Sequence, residues 1–387
     1  MRALVVGAGC CGASAARRLA EYGWEVTVVD RRAHIGGNAY DRRDSRGILY
    51  HVYGPHVFFT DRERVWNFLS PFADWEPFRC SLKVRIEGEF LPMPFQPETL
   101  RRLLPEEGAR AVEAMNRRWS EREWVTVLDL LACDDPLLQL AGRRLYDCDC
   151  VPYNQKQWGL RPEELSPEVS ARAPVYLRDR LYFRPERFQF MPKQGFAPLF
   201  QAILNHPLIR VQTGLDGLEL MTVSGGEIVW RGEARWDAVL YTGEVDRLFG
   251  FCAGRLPYRR LQFDQWYCPA QEGLPGLAVY YPEPEYPWTR CTDYRYLPGN
   301  RADLEQTLVI GERAGPLEGP EDEPCYVVLT EQSKRQYQKY QKMLHRVPHL
   351  YAAGRLAEFR YYNMDQAVER GLEAADIIQR QEGGGFS

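Results

Sequence analysis

The chain holds 387 residues with a formal net charge of −4 at pH 7 and a pI near 6.0. Its length exceeds one simple core and predicts two or three domains at roughly 150 residues each. The acidic balance excludes the basic face of a nucleic-acid binder, and ten cysteines without CxxC or paired metal spacing read as free thiols in a cytoplasmic protein with no metal site.

In chain order, a β-rich run from Ala3 to Val6 leads into Gly7-x-Gly9-x-x-Gly12, "ASAARRLAEYG" follows with helical spacing, and the strand "EVTVVD" ends on Asp30. These glycines set the start apart from a signal peptide and predict a βαβ dinucleotide-binding unit. They allow a tight turn and a pyrophosphate at a helix N-terminus, and the closing acid accepts from ribose hydroxyls. In "RRAHIGGNAYD" the Gly36-Gly37 pair comes soon after that acid, where FAD folds of the glutathione-reductase type bring a glycine doublet to the diphosphate. From about 97 to 150 the composition predicts helices, and from about 245 to 330 short β-like runs among Tyr, Pro and Gly predict an antiparallel sheet. "HLYAAG" and "DQAVERGLEAADIIQRQ" then fit a last strand and a helix whose N-terminus, near Met364 and Asp365, faces the flavin. No apolar run approaches a membrane span, which predicts no membrane partner.

The expected fold class is α/β, a FAD-binding Rossmann-like domain interrupted by a helical insertion and an antiparallel β-sheet substrate domain. The FAD domain is expected at 1–75, 195–244 and 336–387, the sheet at 76–96, 172–194 and 245–335, and the helical substrate-binding domain at 97–171. The cofactor set comprises Gly7, Gly9, Gly12, Asp30, Arg31, Gly36, Gly37 and Asn38 near the start, and Gly354, Arg355, Asn363 and Met364 near the end.

Arginines and aromatics recur beside these motifs. "PYNQKQWGL" puts Tyr153, Lys156 and Trp158 together, "SARAPVYLRDRLYF" adds Arg172 and Tyr182, "YPWTRCTDY" adds Arg290, "PCYVV" adds Tyr326, and "GRLAEFRYYNMD" adds Arg355 and Tyr361. Singly, each is an ordinary surface or packing residue. As an ordered set, with "GAGCCG", "HIGGNAYD", "YGPHVF", "KQWG" and "LPYR", they resemble the UDP-galactopyranose mutase family from Val5 to Ala375.

That resemblance implies an isomerase in which N5 of a reduced FAD attacks the anomeric carbon of a nucleotide sugar of the UDP-galactose type, with no net redox change. It implies an external reductant and a homo-oligomer, a dimer. Arg172 and Arg290 would stabilise the departing diphosphate, Arg172 from a closing loop. Arg355 would sit near flavin and sugar, and His56 beside the isoalloxazine. Trp158, Tyr182, Tyr326 and Tyr361 would line sugar and phosphates, Tyr153 and Asn154 the nucleotide.

Departures fall mostly on the substrate side. Phe59 replaces a usual histidine, Arg260 a serine, Asn154 a threonine and Tyr176 an arginine, while "CYVV", with Val327, replaces "YYPV". Asp149 and Cys150 stand where relatives carry aromatic residues that hold uracil, and an aspartate offers no stacking face. A mutase of another nucleotide sugar, an FAD-dependent oxidase or desaturase, and a catalytically silent FAD-binding descendant of a mutase are the alternatives.

Overall fold

The structure, a computed structural model, describes residues 1–166, 169, 174–180, 187–300, 304–319 and 321–384. Met1–Phe78, Glu186–Tyr258 and Gly319–Ser387 form a first unit, and Arg79–Pro185 with Arg259–Glu318 a second.

The first unit is built on β1 (Arg2–Val6), α1 (Cys10–Glu21) and β2 (Glu25–Asp30). Its sheet is wholly parallel, in the order Ile209–Thr213, β2, β1, Ala238–Tyr241, Leu350–Ala352. Ala3, Leu4, Val5 and Val6 are all buried, the continuous apolar run of a central parallel strand covered on both faces. The last helix, Met364–Glu382, lies against α1 through small residues. A Cβ at Gly371 would stand 2.2 Å from the Cys11 carbonyl oxygen, so only glycine permits that approach.

Residues 245–258 and 319–335, expected in the sheet domain, belong to this first unit. The buried Asp246 carboxylate explains part of this, since it accepts from the Leu256 N–H (2.8 Å) and the Tyr258 O–H (3.1 Å). The expected sheet segment 172–194 is likewise divided. Phe188–Pro192 pairs with Phe58–Thr60 and Trp75–Pro77, where Phe188 and Phe190 stack on Trp66 at 5.1 and 4.7 Å. Aromatic burial decided that pairing, which the short strand by itself does not specify.

The second unit carries the helices Pro97–Leu103, Gly108–Arg118, Val127–Ala132, Pro136–Leu145 and Val151–Trp158, the last two joined by a π-helical turn, Tyr146–Cys150. Leu100, Met115, Leu130, Leu138 and Leu145 form part of their common core. The adjoining sheet runs Tyr258–Pro269, Gln306–Pro316, Arg290–Asp293, Ala278–Tyr280, Leu82–Ile86, Glu89–Met93. It is antiparallel as expected except that Ala278–Tyr280 and Leu82–Ile86 pair in parallel. Among the described residues no helix is long and apolar enough to cross a membrane.

Candidate active site

The C-terminal ends of the first unit's strands surround a cleft of ≈ 1130 Å³, open to solvent. Gly7, Gly9, Gly12, Asp30, Arg31, Gly37, Asn38, His56, Gly354, Arg355, Asn363 and Met364 all line it. Gly36 stands just behind, its N–H donating to the Ala8 carbonyl at 2.9 Å. Gly7 takes φ +106°, and a Cβ there would meet Thr242 Oγ1 at 2.0 Å. A Cβ on Gly12 would lie 1.9 Å from the Gly7 oxygen, and one on Gly37 would lie 2.8 Å from the Gly9 Cα. The cradle is backbone brought against backbone at the N-terminus of α1, where unpaired N–H groups and the helix dipole favour an anion.

Asp30 first serves the cradle itself: its Oδ2 accepts from the Ala8 N–H (2.8 Å) and its Oδ1 from the Arg32 N–H (2.9 Å). Each oxygen has a further lone pair for a ligand hydroxyl. Arg31 reaches Glu244 at 3.3 Å on the same rim. Glu244, Thr242 and Asp216 also line the cleft and were not anticipated. Their signal was positional, since Thr242 and Glu244 follow the strand Ala238–Tyr241 at its carboxyl end.

At the other end, the Gly354 N–H donates to Glu358 Oε2 at 2.9 Å, and Arg370 clasps the same carboxylate at 3.0–3.2 Å. Arg355 donates to the carbonyls of Cys325 (3.1 Å) and Tyr362 (2.6 Å). Its guanidinium carbon lies 5.4 Å from the Tyr326 ring and 5.2 Å from the Tyr361 ring, and those rings stack at 5.5 Å with planes 4° apart. Asn363 caps the last helix in a capping box with Gln366. Burial pushes the Cys10 thiol up to about 12, against the Arg355 charge, so this cleft cysteine stays protonated.

His56 is oriented from both sides. Its backbone N–H donates to His51 Nδ1 at 2.8 Å, and its Nδ1 meets the Gly54 carbonyl at 2.8 Å. A carbonyl only accepts, so Nδ1 of His56 carries the proton and, in the neutral ring, Nε2 keeps its lone pair. His51 is held neutral, its pKa lowered well below the ordinary value by burial and by His56.

In the second unit, adjacent strands align Tyr280, Arg290 and Glu312 in register. Arg290 donates to Glu312 through Nε (3.0 Å) and Nη2 (2.9 Å), and its Nη1 reaches the Tyr280 hydroxyl at 3.3 Å. Tyr153 meets Tyr280 edge to face at 5.8 Å. Trp158 is buried at the end of the same helix. Asn154 spends its amide donor on the Cys150 carbonyl at 2.6 Å, which closes the π-helical turn. Lys156 anchors the helix to the Tyr281 and Glu283 carbonyls, and burial lowers its pKa to about 8. Arg259 caps it, donating to the carbonyls of Gln157 (3.0 Å) and Lys156 (3.2 Å). Of the departures, Val327 is wholly buried and Arg260 pairs with Glu318. Arg172 and Tyr182 lie outside the described residues.

Asp149 is 4% exposed, and burial raises its pKa from 3.8 to about 7. The flanking Cys148 and Cys150 thiols are pushed up with it, so they add no charge. A carboxyl raised on folding leaves stability intact at low pH and withdraws it as pH climbs through the folded value. Wild type is therefore expected to lose on the order of 1–3 kcal/mol relative to Asp149→Asn between about pH 5 and about pH 8. Thermal melts across that range measure this, and parallel profiles for the two proteins would contradict it.

A family model described as UDP-galactopyranose mutase matches residues 150–361, and one described as an NAD(P)-binding Rossmann-like domain matches 5–72. The dTDP-fucopyranose mutase of Escherichia coli is 30% identical, covering 97% of this chain and 98% of its own. A probable UDP-galactopyranose mutase of Klebsiella pneumoniae is 31% identical, covering 96% and 93%. Among solved structures, a reduced UDP-galactopyranose mutase matches with a TM-score of 0.74 at 20% identity, covering 100% of this chain and 96% of that one. A putrescine oxidase variant shares the fold with a TM-score of 0.58 at 11% identity, covering 98% and 100%. On the family match and the full-length similarity to named mutases, the chain is an isomerase of the UDP-galactopyranose mutase family.

Proposed function

We propose that the chain binds FAD in the glycine-built cleft, works with the cofactor reduced by an external donor, and interconverts pyranose and furanose forms of a nucleotide sugar without net redox change. The observation that carries this reading is Arg355, a guanidinium lining the cofactor cleft beside the stacked Tyr326 and Tyr361. Such a group suits an anionic, ring-bearing substrate, whereas hydride transfer from a neutral amine has no use for it.

The residues fit the cofactor. Gly7, Gly12 and Gly37 sit where any Cβ would collide with backbone or Thr242, the close approach a dinucleotide diphosphate needs. Bound and reduced, FAD supplies the nucleophilic N5 for the anomeric carbon. The protein's part is to bind and to stabilise charge. The α1 N-terminus holds the diphosphate of the cofactor, and Asp30 with Arg31 its adenosine side. The last helix presents its N-terminus at Asn363 and Met364, whose dipole favours negative charge on the flavin. His56 offers the Nε2 acceptor. Arg290 and Arg172 hold the substrate diphosphate and stabilise it as the anomeric bond breaks. Tyr153, Trp158, Tyr182, Tyr326 and Tyr361 hold base, phosphates and sugar, while Asn154 positions the helix that bears Tyr153 and Trp158.

The test is turnover before and after dithionite. Purified protein is incubated with UDP-, GDP- and dTDP-sugars and the products are separated by chromatography. Furanose products are expected only from the reduced protein. No conversion of any sugar by the reduced form, or oxygen-dependent turnover of an amine by the oxidised form, would overturn the proposal.

A further inference from the structure

Two residues of the first unit's motifs, His34 of "HIGGNAYD" and Tyr53 beside His56, have no part in the chemistry proposed above, and the contacts around them show what they serve. His34 Nδ1 meets the Ile35 carbonyl at 3.0 Å. A carbonyl only accepts, so Nδ1 carries the proton, and Nε2 of the neutral ring accepts from the Tyr53 hydroxyl at 2.8 Å. Burial lowers the His34 pKa, which favours that neutral ring, and the ring stacks on Tyr40 at 3.8 Å. Tyr53 is thereby fixed with its face to Arg32, whose guanidinium carbon lies 4.1 Å from the ring centre. Arg32 Nη2 donates to Asn38 Oδ1 at 2.9 Å and reaches Glu323 Oε2 at 2.6 Å.

Glu323 opens a short run, residues 323–326, that forms part of the cleft wall. Pro324 and Cys325 line the cleft together with Arg32 and Asn38. Cys325 is 9% exposed and gripped at two atoms, its Sγ by Asn38 Nδ2 at 3.6 Å and its carbonyl by Arg355 at 3.1 Å. Tyr326 then stacks on Tyr361. The Arg32–Glu323 pair is the tie at the leading end of this run. An exposed ion pair is ordinarily worth little, because two long side chains must be ordered to make it. Here Tyr53 and Asn38 have already ordered one of them, and the Arg32 side chain is 13% exposed, so its charge is only weakly screened.

Resting on the cofactor reading above, we infer that the Arg32–Glu323 pair is a clasp that holds residues 323–326 against the cleft and sets how long FAD stays bound, with His34 and Tyr53 as the residues that position Arg32. The backbone N–H of Arg32 donates to Asp30, so the clasp closes beside the acid proposed for the adenosine side. Its part is retention, distinct from the charge stabilisation assigned to Arg290 and Arg172. A retaining contact of this kind is read in the rate of release, because truncating one partner of a hydrogen-bonded charge pair acts chiefly on dissociation.

The experiment follows FAD release from the loaded protein by flavin fluorescence after dilution, with an apo-flavoprotein as scavenger, for wild type, Glu323→Ala, Arg32→Gln and the combined variant. The Glu323 side chain is 37% exposed, which places the effect between that of a rim charge and that of a buried pair, so Glu323→Ala is expected to release FAD roughly five- to tenfold faster than wild type. Arg32→Gln should release it at least as fast, and the combined variant no faster than Arg32→Gln alone, because the two residues act as one contact. Raised ionic strength should speed release from wild type more than from Glu323→Ala. Wild-type release from Glu323→Ala, or effects of the two substitutions that multiply in full, overturns the inference. If Arg32→Gln does not fold, Glu323→Ala and the salt dependence decide the question by themselves. A melting point of the cofactor-free protein lowered in Glu323→Ala with release unchanged marks a merely structural pair and also overturns it. Bound flavin that leaves Glu323→Ala at the wild-type rate sinks this inference and leaves the cofactor reading standing, whereas wild-type protein that takes up no flavin sinks both.

Discussion

Arg290→Ala is expected to lower turnover by roughly a hundred- to a thousand-fold while the cofactor stays bound, the loss typical of one transition-state donor. Arg290 belongs to a unit separate from the glycine cradle, so flavin content reports on something else. The structure adds a second effect. Glu312 is 3% exposed and its two oxygens are both engaged by Arg290, so the alanine variant leaves a buried carboxylate without its counter-charge. Breaking a buried pair costs about 3–5 kcal/mol, and the partly exposed Arg290 side chain reduces that to roughly 1–3 kcal/mol here. Arg290→Ala combined with Glu312→Gln should therefore recover thermal stability without recovering turnover. Arg290→Lys should restore activity only in part, because an ammonium cannot hold Glu312 bidentately and also present a planar edge. Near wild-type turnover in Arg290→Ala, measured on whichever sugar the product screen identifies, would show that this arginine is not where leaving-group charge is stabilised.

Gly12→Val should yield colourless protein. A Cβ at this position would stand 1.9 Å from the Gly7 carbonyl oxygen and 3.2 Å from a Val5 methyl, and these atoms belong to a central strand and its turn, which cannot give way. The helix must move off the strand, with overpacking that costs about 1–3 kcal/mol or more before any cofactor is considered. Gly9 offers a contrast. It caps α1 in an extended conformation, and an added Cβ would find only the Gly37 Cα at 3.6 Å. Gly9→Ala is therefore expected to melt close to wild type yet bind the dinucleotide more weakly, since the new methyl occupies the space offered to the diphosphate. Flavin absorbance after gel filtration, read beside the melting curve, separates the two cases. A fully yellow Gly12→Val protein would refute the placement of the diphosphate.

The two ends of the chain were legible because their information is local. Gly7, Gly9 and Gly12 between an apolar run and a helical one, closed by Asp30, specify a strand, a turn and a helix within a span of chain short enough to read directly, and the last strand and helix read the same way from periodicity. The set of arginines and tyrosines was also visible, as an ordered set of residue types. Their partners were not. That Glu312 holds Arg290 follows from the register of Arg290–Asp293 against Gln306–Pro316, and register is a property of paired strands. That Asn154 serves the Cys150 carbonyl follows from the π-helical turn, and the assignment of 245–258 to the first unit follows from burial around Asp246 and Tyr258. The tautomer of His56 depends on the Gly54 carbonyl folded against its ring. The sequence by itself determined the family to which the chain belongs and the glycine turns at the start of the first unit, because those depend on neighbours along the chain. Only the tertiary structure decided which charges are paired and which buried carboxyl is left without a partner among the described residues, because hydrogen bonding and desolvation depend on neighbours in space.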